Sequence, residues 1–252
     1  MALPPSVKRR VRRVVNGARI AKAVVRPVAI PAGALDCVLA RNTYGVYCVP
    51  RASSHRPAAQ TVLQSRVWEP DTLVLMRAIP GDVVHAGTFF GDFLPALASS
   101  RTGMVWAFEP NRESYRCAHI TADLNDLQNV TLTHAALSGV PGVGTLGISN
   151  QHGIPSGGGS RLTVNPLDGV SVEPVPLVTV DELVPEDRDV GVLELDVEGH
   201  EEQALSGALR TIERCRPILI LEQLPDQGWL QEHLPGYRVT DMVNGNTVLE
   251  RS

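Results

Sequence analysis

The sequence lacks any apolar run long enough to span a bilayer. Its longest stretches, such as Ile218–Leu221, fall far short of the ~20 residues a membrane helix needs, so no integral membrane segment is expected. The basic start is not followed by an apolar h-region and a small-residue cleavage site, so no secretory signal is expected. Cysteine is sparse: Cys37, Cys48, Cys117 and Cys215 are scattered and form no C-x-x-C pair. That spacing argues against a zinc site and a disulfide framework, and makes a reducing cytoplasm the expected setting. Aromatic residues are only 4% of the chain, so no large aromatic cage for a substrate is expected. A net charge of −4 gives no global electrostatic case for nucleic acid. What is present is ordinary: 252 residues, 43% apolar and 20% charged, the profile of a soluble α/β domain with a short N-terminal extension.

Charge is uneven in one place. Residues 8–26 carry Lys8, Arg9, Arg10, Arg12, Arg13, Arg19, Lys22 and Arg26 and no acid, with Val11, Val14, Val15, Ile20 and Val24 interleaved at roughly helical spacing. A membrane-surface or partner-docking helix is one reading. The other is a solvated helix covering one face of the domain or a second copy, so a homo-oligomer through this region stays open. The short apolar face, without Trp or Phe, favours the second.

Residues 1–80 read as an N-terminal helical cap broken by Pro27, Pro31, Pro50 and Pro57. Its clearest helix runs over 60–78, with Trp68, Leu73, Leu75 and Met76 as buried positions and Pro80-Gly81 as its stop. Residues 81–252 then alternate apolar strands (82–86, 104–108, 130–134, 191–196, 217–222) with helices (92–100, 111–125, 201–215), and Asn111 suits an N-cap. Near-continuous apolar strands between helices predict a mostly parallel sheet covered on both faces. The alternation pauses over 139–176, a Gly-rich insertion that reads as hairpins, loops and a candidate lid. Asn244-Gly245-Asn246 between 237–240 and 247–250 signals a closing antiparallel hairpin.

Three segments carry chemistry. The first strand leads into His85-Ala86-Gly87-Thr88-Phe89-Phe90-Gly91-Asp92, where two glycines allow a ligand close to the backbone at the carboxyl edge of the sheet. This is not the G-x-G-x-x-G of a dinucleotide fold. The second strand ends in Phe108-Glu109-Pro110, where an acid is placed to accept ribose hydroxyls, although it could also simply precede the cap at Asn111. The fourth ends in Glu194-Leu195-Asp196-Val197-Glu198-Gly199-His200-Glu201. A helix-start acid cluster explains Glu201 and Glu202 but not Asp196, which closes an apolar strand.

These segments, with Ala135-Ala136-Leu137-Ser138 and Thr179-Val180-Asp181-Glu182-Leu183, occur in the order seen in the FkbM family of methyltransferases, which the chain resembles over about 81–222. The resemblance implies a seven-stranded Rossmann-like class I fold, S-adenosyl-L-methionine as methyl donor, and O-methylation of a sugar or secondary-metabolite hydroxyl. It implies a donor site at Gly87 and Gly91 (amino-acid end), Glu109 (ribose) and Ala136 with its neighbours (adenine edge), with His85, Thr88, Asp92, Pro110 and Asn111 beside them as further donor-binding candidates. Asp196 would lie near sulfonium and acceptor. The chain departs from the family in three positions: His85 where Asp is common, Phe89 where Asn is common, and Glu194 where Lys is common.

A hydroxyl is a poor nucleophile near neutral pH, so a base is expected among Asp196, His200 and Glu198. A metal-free reaction is the first reading. The second has Asp196, Glu198 and His200 hold Mg²⁺ or Mn²⁺. An N-methylating relative, a non-catalytic scaffold of the same fold, and an NAD(P)-dependent oxidoreductase are the remaining alternatives. The missing G-x-G-x-x-G and the terminal hairpin weigh against the last.

Overall fold

The computed structural model describes residues 35–99 and 103–252. The basic segment at 8–26 lies outside the described residues. Seven strands make the central sheet: β3 (Asp82–Ala86), β4 (Val105–Phe108), β5 (Val130–Thr133), β10 (Val190–Leu195), β11 (Ile218–Leu221), β12 (Tyr237–Val243) and β13 (Asn246–Arg251). Their order is β12-β13-β11-β10-β3-β4-β5. From β11 to β5 all neighbours are parallel, and β13 alone runs antiparallel, between β11 and β12. The reversal turns on Asn244 and Gly245, both at positive φ (52° and 97°), the backbone of a type I′ turn.

The parallel strands are buried on both faces, as their apolar runs require. Alternate residues feed two cores. Val83, Val105, Val192 and Ile220 pack with Leu73, Phe93, Leu94 and Leu97 on one side. Val84, Leu193, Leu195 and Leu219 pack with Leu205, Ala208 and Ile212 on the other. The helices supplying these contacts include α2 (Pro70–Ala78), α3 (Leu94–Ala98), α6 (Glu201–Ser206) and α7 (Leu209–Cys215); α4 (Arg112–Leu124) starts at Asn111, whose side chain accepts from Ser114 N–H as a cap does. At the base of β3, Asp82 is 2% exposed and accepts from Met104 N, Trp106 Nε1 and both arms of Arg188.

Three local features differ from the sequence reading. Residues 37–50 form an antiparallel hairpin, β1 (Cys37–Arg41) and β2 (Val46–Pro50), within the region read as helical. It is fastened to α4: Asn125 both accepts from Val46 N and donates to Val46 O, and Thr121 Oγ1 accepts from Cys48 N. Its core joins Tyr47, Cys48 and Val49 to Phe89, Phe90 and Cys117, so three cysteines scattered in sequence meet in space. The helix read over 60–78 is two, α1 (Pro57–Leu63) and α2, because Pro70 drives Glu69 out of helical geometry (φ 42°). The helix read over 201–215 breaks at Gly207, where a Cβ would stand 2.1 Å from Ser138 O.

The Gly-rich insertion is built more regularly than loops. With β6 (Ala136–Leu137) and β9 (Val172–Val178), strands β7 (Gly142–Gly147) and β8 (Arg161–Leu162) form a second sheet in the order β6-β9-β7-β8. A 3₁₀ turn at Gly157–Gly159 precedes β8 and reaches over the carboxyl edge of the main sheet. Among the described residues no helix is long and apolar enough to cross a membrane.

Candidate active site

The ends of β3, β4 and β10 are laced together. Gly87 N and Thr88 N donate to Phe108 O, and Asp196 N donates to Ala86 O. Gly87 takes φ 89°, and a Cβ there would lie 2.0 Å from the Asp196 carbonyl, so only glycine lets the turn pass. Phe89 is also left-handed (φ 50°), a conformation that costs a non-glycine residue about 1–3 kcal/mol unless its surroundings hold it. Burial of its ring against Phe90 and Gly158 holds it, together with the Phe89 N–H donated to Glu109 Oε2 at 2.7 Å. Glu109 Oε1 accepts from Asn111 N at 2.7 Å. Burial pushes the Glu109 carboxyl up to about 8, against the pull of these two N–H groups.

Two cavities meet at Gly87, Gly158 and Asp196. One is a narrow slot of about 30 Å³, walled by Phe108, Glu109, Pro110, Ala135, Ala136 and Leu137 and roofed by Gly157, Gly158, Ser160 and Leu162 of the insertion. Asn111 Nδ2 donates to Ser160 Oγ and ties that roof to the start of α4. The other is an open cleft of about 390 Å³ bordered by Arg56, Trp68, Glu69, Asp92, Glu198, Glu222 and Asn246.

Of the donor-site candidates, Gly87, Glu109, Pro110, Ala136 and Asp196 line the slot, and Asp92 lines the cleft. Four sit behind. Thr88 is fully buried and donates to His85 O. Gly91 is a packing glycine, its Cβ position crowded by Leu94, Ala118 and Thr121. Asn111 caps α4. His85 lies beneath the cleft, 3% exposed, stacked on Phe93 and bonded through Nδ1 to Glu194 on the neighbouring strand. Burial disfavours its charge, but the Glu194 carboxylate outweighs burial and raises His85 above its ordinary value.

Asp196, Glu198 and Glu222 converge, with one oxygen of each within 4.8 Å of the others. Burial, with Glu194, Glu222 and Glu198 around it, holds the Asp196 carboxyl far above the usual carboxylate range. Glu198, itself at φ 56°, is flanked by Arg56 at 3.7 Å and Arg161 at 3.5 Å. His200 does not join this cluster. It faces the slot, its Nε2 is 3.3 Å from Ser138 Oγ, and burial lowers its pKa, which keeps the ring neutral near pH 7. Of the three groups considered as metal ligands, two come together and the third position is taken by Glu222. Sequence reasoning missed Glu222 and Arg161. Glu222 follows a core strand just as Asp196 does, and that signal could have found it; nothing local marks Arg161.

A seven-stranded sheet with this order, its one reversed strand β13 inserted between β11 and β12 and its candidate functional groups on the carboxyl edge, defines a Rossmann-like methyltransferase fold. The methyltransferase FkbM domain matches residues 85–241, more than half of the chain, and the chain belongs to that family. No curated protein matches it significantly in sequence. Similar solved structures include an FkbM methyltransferase from Methylobacillus flagellatus, 18% identical over 69% of this chain and 44% of that one, with a TM-score of 0.48. The chain thus spans under half the length of that protein. A SAM-dependent methyltransferase from Aquifex aeolicus is 14% identical over 77% of this chain and 92% of that one, with a TM-score of 0.40. The T. thermophilus 16S rRNA N2 G1207 methyltransferase, solved with AdoMet and guanosine, is 16% identical over 88% and 52%, with a TM-score of 0.46.

Proposed function

We propose that this methyltransferase uses S-adenosyl-L-methionine to methylate a hydroxyl of a sugar, glycan or similar polyhydroxylated metabolite. The observation that carries the reading is the junction at Gly87 and Asp196, where an apolar slot for a flat ring opens onto a polar cleft. The donor set fits the cofactor. Each oxygen of Glu109 accepts one main-chain N–H and keeps a lone pair for a ribose hydroxyl. Phe108, Pro110 and Ala135–Leu137 offer apolar walls to adenine. Ligand sites occupy about 300–1,000 Å³, so the slot must widen, and the Gly157–Ser160 roof, with its Asn111–Ser160 tie, is the part that withdraws.

Bound there, S-adenosyl-L-methionine supplies a methyl group on a sulfonium leaving group. The protein's part is alignment, proton removal and water exclusion, of which alignment contributes at most about 7–11 kcal/mol. Glu69 and Asp92, both pushed up to about 7 by burial, face the cleft with Asp196 and Glu222 and suit a cationic donor end. Asp196 borders both cavities; a cationic donor bound beside it would lower its raised pKa and free it to take the hydroxyl proton, with Glu222 next to it to share the charge. His200, kept neutral on the slot side, is the second candidate. Glu198, between two arginines, shapes the cleft and orients the acceptor. Trp68, carboxylates and Asn246 on one rim match a polyol: one flat apolar face and many hydroxyl partners. Methyl transfer from labelled donor to a panel of sugars and glycosides tests the reading; transfer to nitrogen acceptors only would overturn it.

A further inference from the structure

Cys37 and Cys48 lie on the same face of the β1–β2 hairpin. The register sets Leu39 opposite Cys48 and Cys37 opposite Pro50, so the two cysteines are diagonal neighbours. Their Sγ atoms stand 2.7 Å apart, and both residues are fully buried. That is closer than unbonded sulfurs rest, and one short step from the ~2.05 Å of a disulfide. Cys117 on α4, also fully buried, joins the same core and hydrogen-bonds Cys48. The hydrogen bond from Cys117, helped by Cys37, lowers Cys48 to about 7 against burial. Burial and then Cys48 itself raise Cys37 to about 12. Cys48 is therefore the thiol that ionises first and attacks. None of the three lines the slot or the cleft.

We propose that Cys37 and Cys48 are a redox pair that closes to a disulfide across the hairpin by exchange with a low-molecular-weight disulfide. The Cys48 thiolate attacks one sulfur of that disulfide and expels the first small thiol. Cys37 then gives up its proton, and its sulfur displaces the second small thiol from Cys48. Two protein thiols are oxidised and one external disulfide is reduced to two thiols. The staple lies in the same core as Phe89 and Phe90, directly behind the donor turn.

The test uses the full chain carrying Cys215→Ser, which removes the remaining half-buried thiol. Reduced protein is treated with a glutathione redox buffer in two arms, one folded throughout and one refolded from denaturant. The expected product is lighter than the reduced protein by two hydrogen atoms. Alkylation under denaturing conditions then labels Cys117 alone, and peptide mapping joins Cys37 to Cys48. The oxidised form melts several degrees above the reduced form, as closing a short loop in the unfolded chain implies. This comparison within one protein needs no variant in the cluster. Adding Cys37→Ser should abolish both the mass change and the redox dependence of melting. Retention of all three thiols in both arms, a persistent glutathione adduct at Cys48, or a Cys48–Cys117 link would overturn the proposal.

Discussion

Replacing Glu109 with glutamine keeps the shape of the side chain and removes one acceptor. In the native turn both oxygens accept main-chain N–H groups, from Phe89 and from Asn111, each at 2.7 Å. Either protonation state of the carboxyl leaves both oxygens able to accept, whereas an amide nitrogen only donates. However the glutamine is turned, its NH₂ faces one of those N–H groups. A buried donor left without a partner costs about 1–3 kcal/mol, and Glu109 is only 3% exposed. Urea unfolding should therefore show a loss of about 1–3 kcal/mol at unchanged m-value. Phe89 follows the glycine bend that borders the slot and Asn111 ties the slot's roof through Ser160, so the same perturbation should weaken S-adenosylhomocysteine binding by about tenfold to a hundredfold, at ~1.4 kcal/mol per decade. Titration calorimetry reads this directly. If the glutamine variant binds within about twofold of the parent and unfolds at the same urea concentration, Glu109 is not the keystone of this turn.

Glu69, Asp92 and Glu109 have folded values of about 7, 7 and 8, raised by burial above the ordinary carboxylate range. Their contribution to stability is therefore full below about pH 4.5 and is lost as pH rises towards about 8. Ligand-free protein should melt lower as pH rises through that window, and Glu109→Gln should flatten the slope. A cationic donor lowers these values, so its binding should tighten with pH and release protons, which calorimetry in buffers of different ionisation enthalpy will measure. Asp196→Ala should abolish turnover while leaving a folded protein by circular dichroism; a near-normal rate would misplace the base. EDTA should leave the rate unchanged, whereas loss restored by Mg²⁺ would assign Asp196, Glu198 and Glu222 to a cation. Asp82→Ala should cost about 3 kcal/mol in denaturant unfolding, because Arg188, Trp106 and Met104 lose their shared acceptor, the value staying low in the range because Arg188 reaches solvent.

The parallel core was legible because its signals are local: apolar strands, the glycine bend at Gly87, acids ending β4 and β10, and Asn-Gly at the final turn. The hairpin at 37–50 was not, because the prolines around it, Pro27, Pro31, Pro50 and Pro57, make the whole N-terminal region read as broken helix. Its strands are held partly by Asn125 and Thr121, about eighty residues away. The site was legible at its edges and obscure at its roof. Gly157–Ser160 covers the slot only because β7, β8 and β9 pair over long range, and glycine runs carry no periodicity to announce that. Thr88 and Gly91 flank the glycine bend and Asn111 follows Glu109; in the structure Thr88 donates to His85 O, Gly91 packs against Leu94 and Ala118, and Asn111 caps α4 as its position suggested. The strand-end rule had the right form but stopped one strand short of Glu222.

His85 and Glu194 face each other across neighbouring strands, each 3% exposed and joined through His85 Nδ1. Changing either residue alone, in either direction, would strand like charges or a lone ion in the middle of the sheet. Drift at these two positions is thus confined to concerted steps. An acid and a base must therefore be kept together at this point of the sheet, whichever strand carries which.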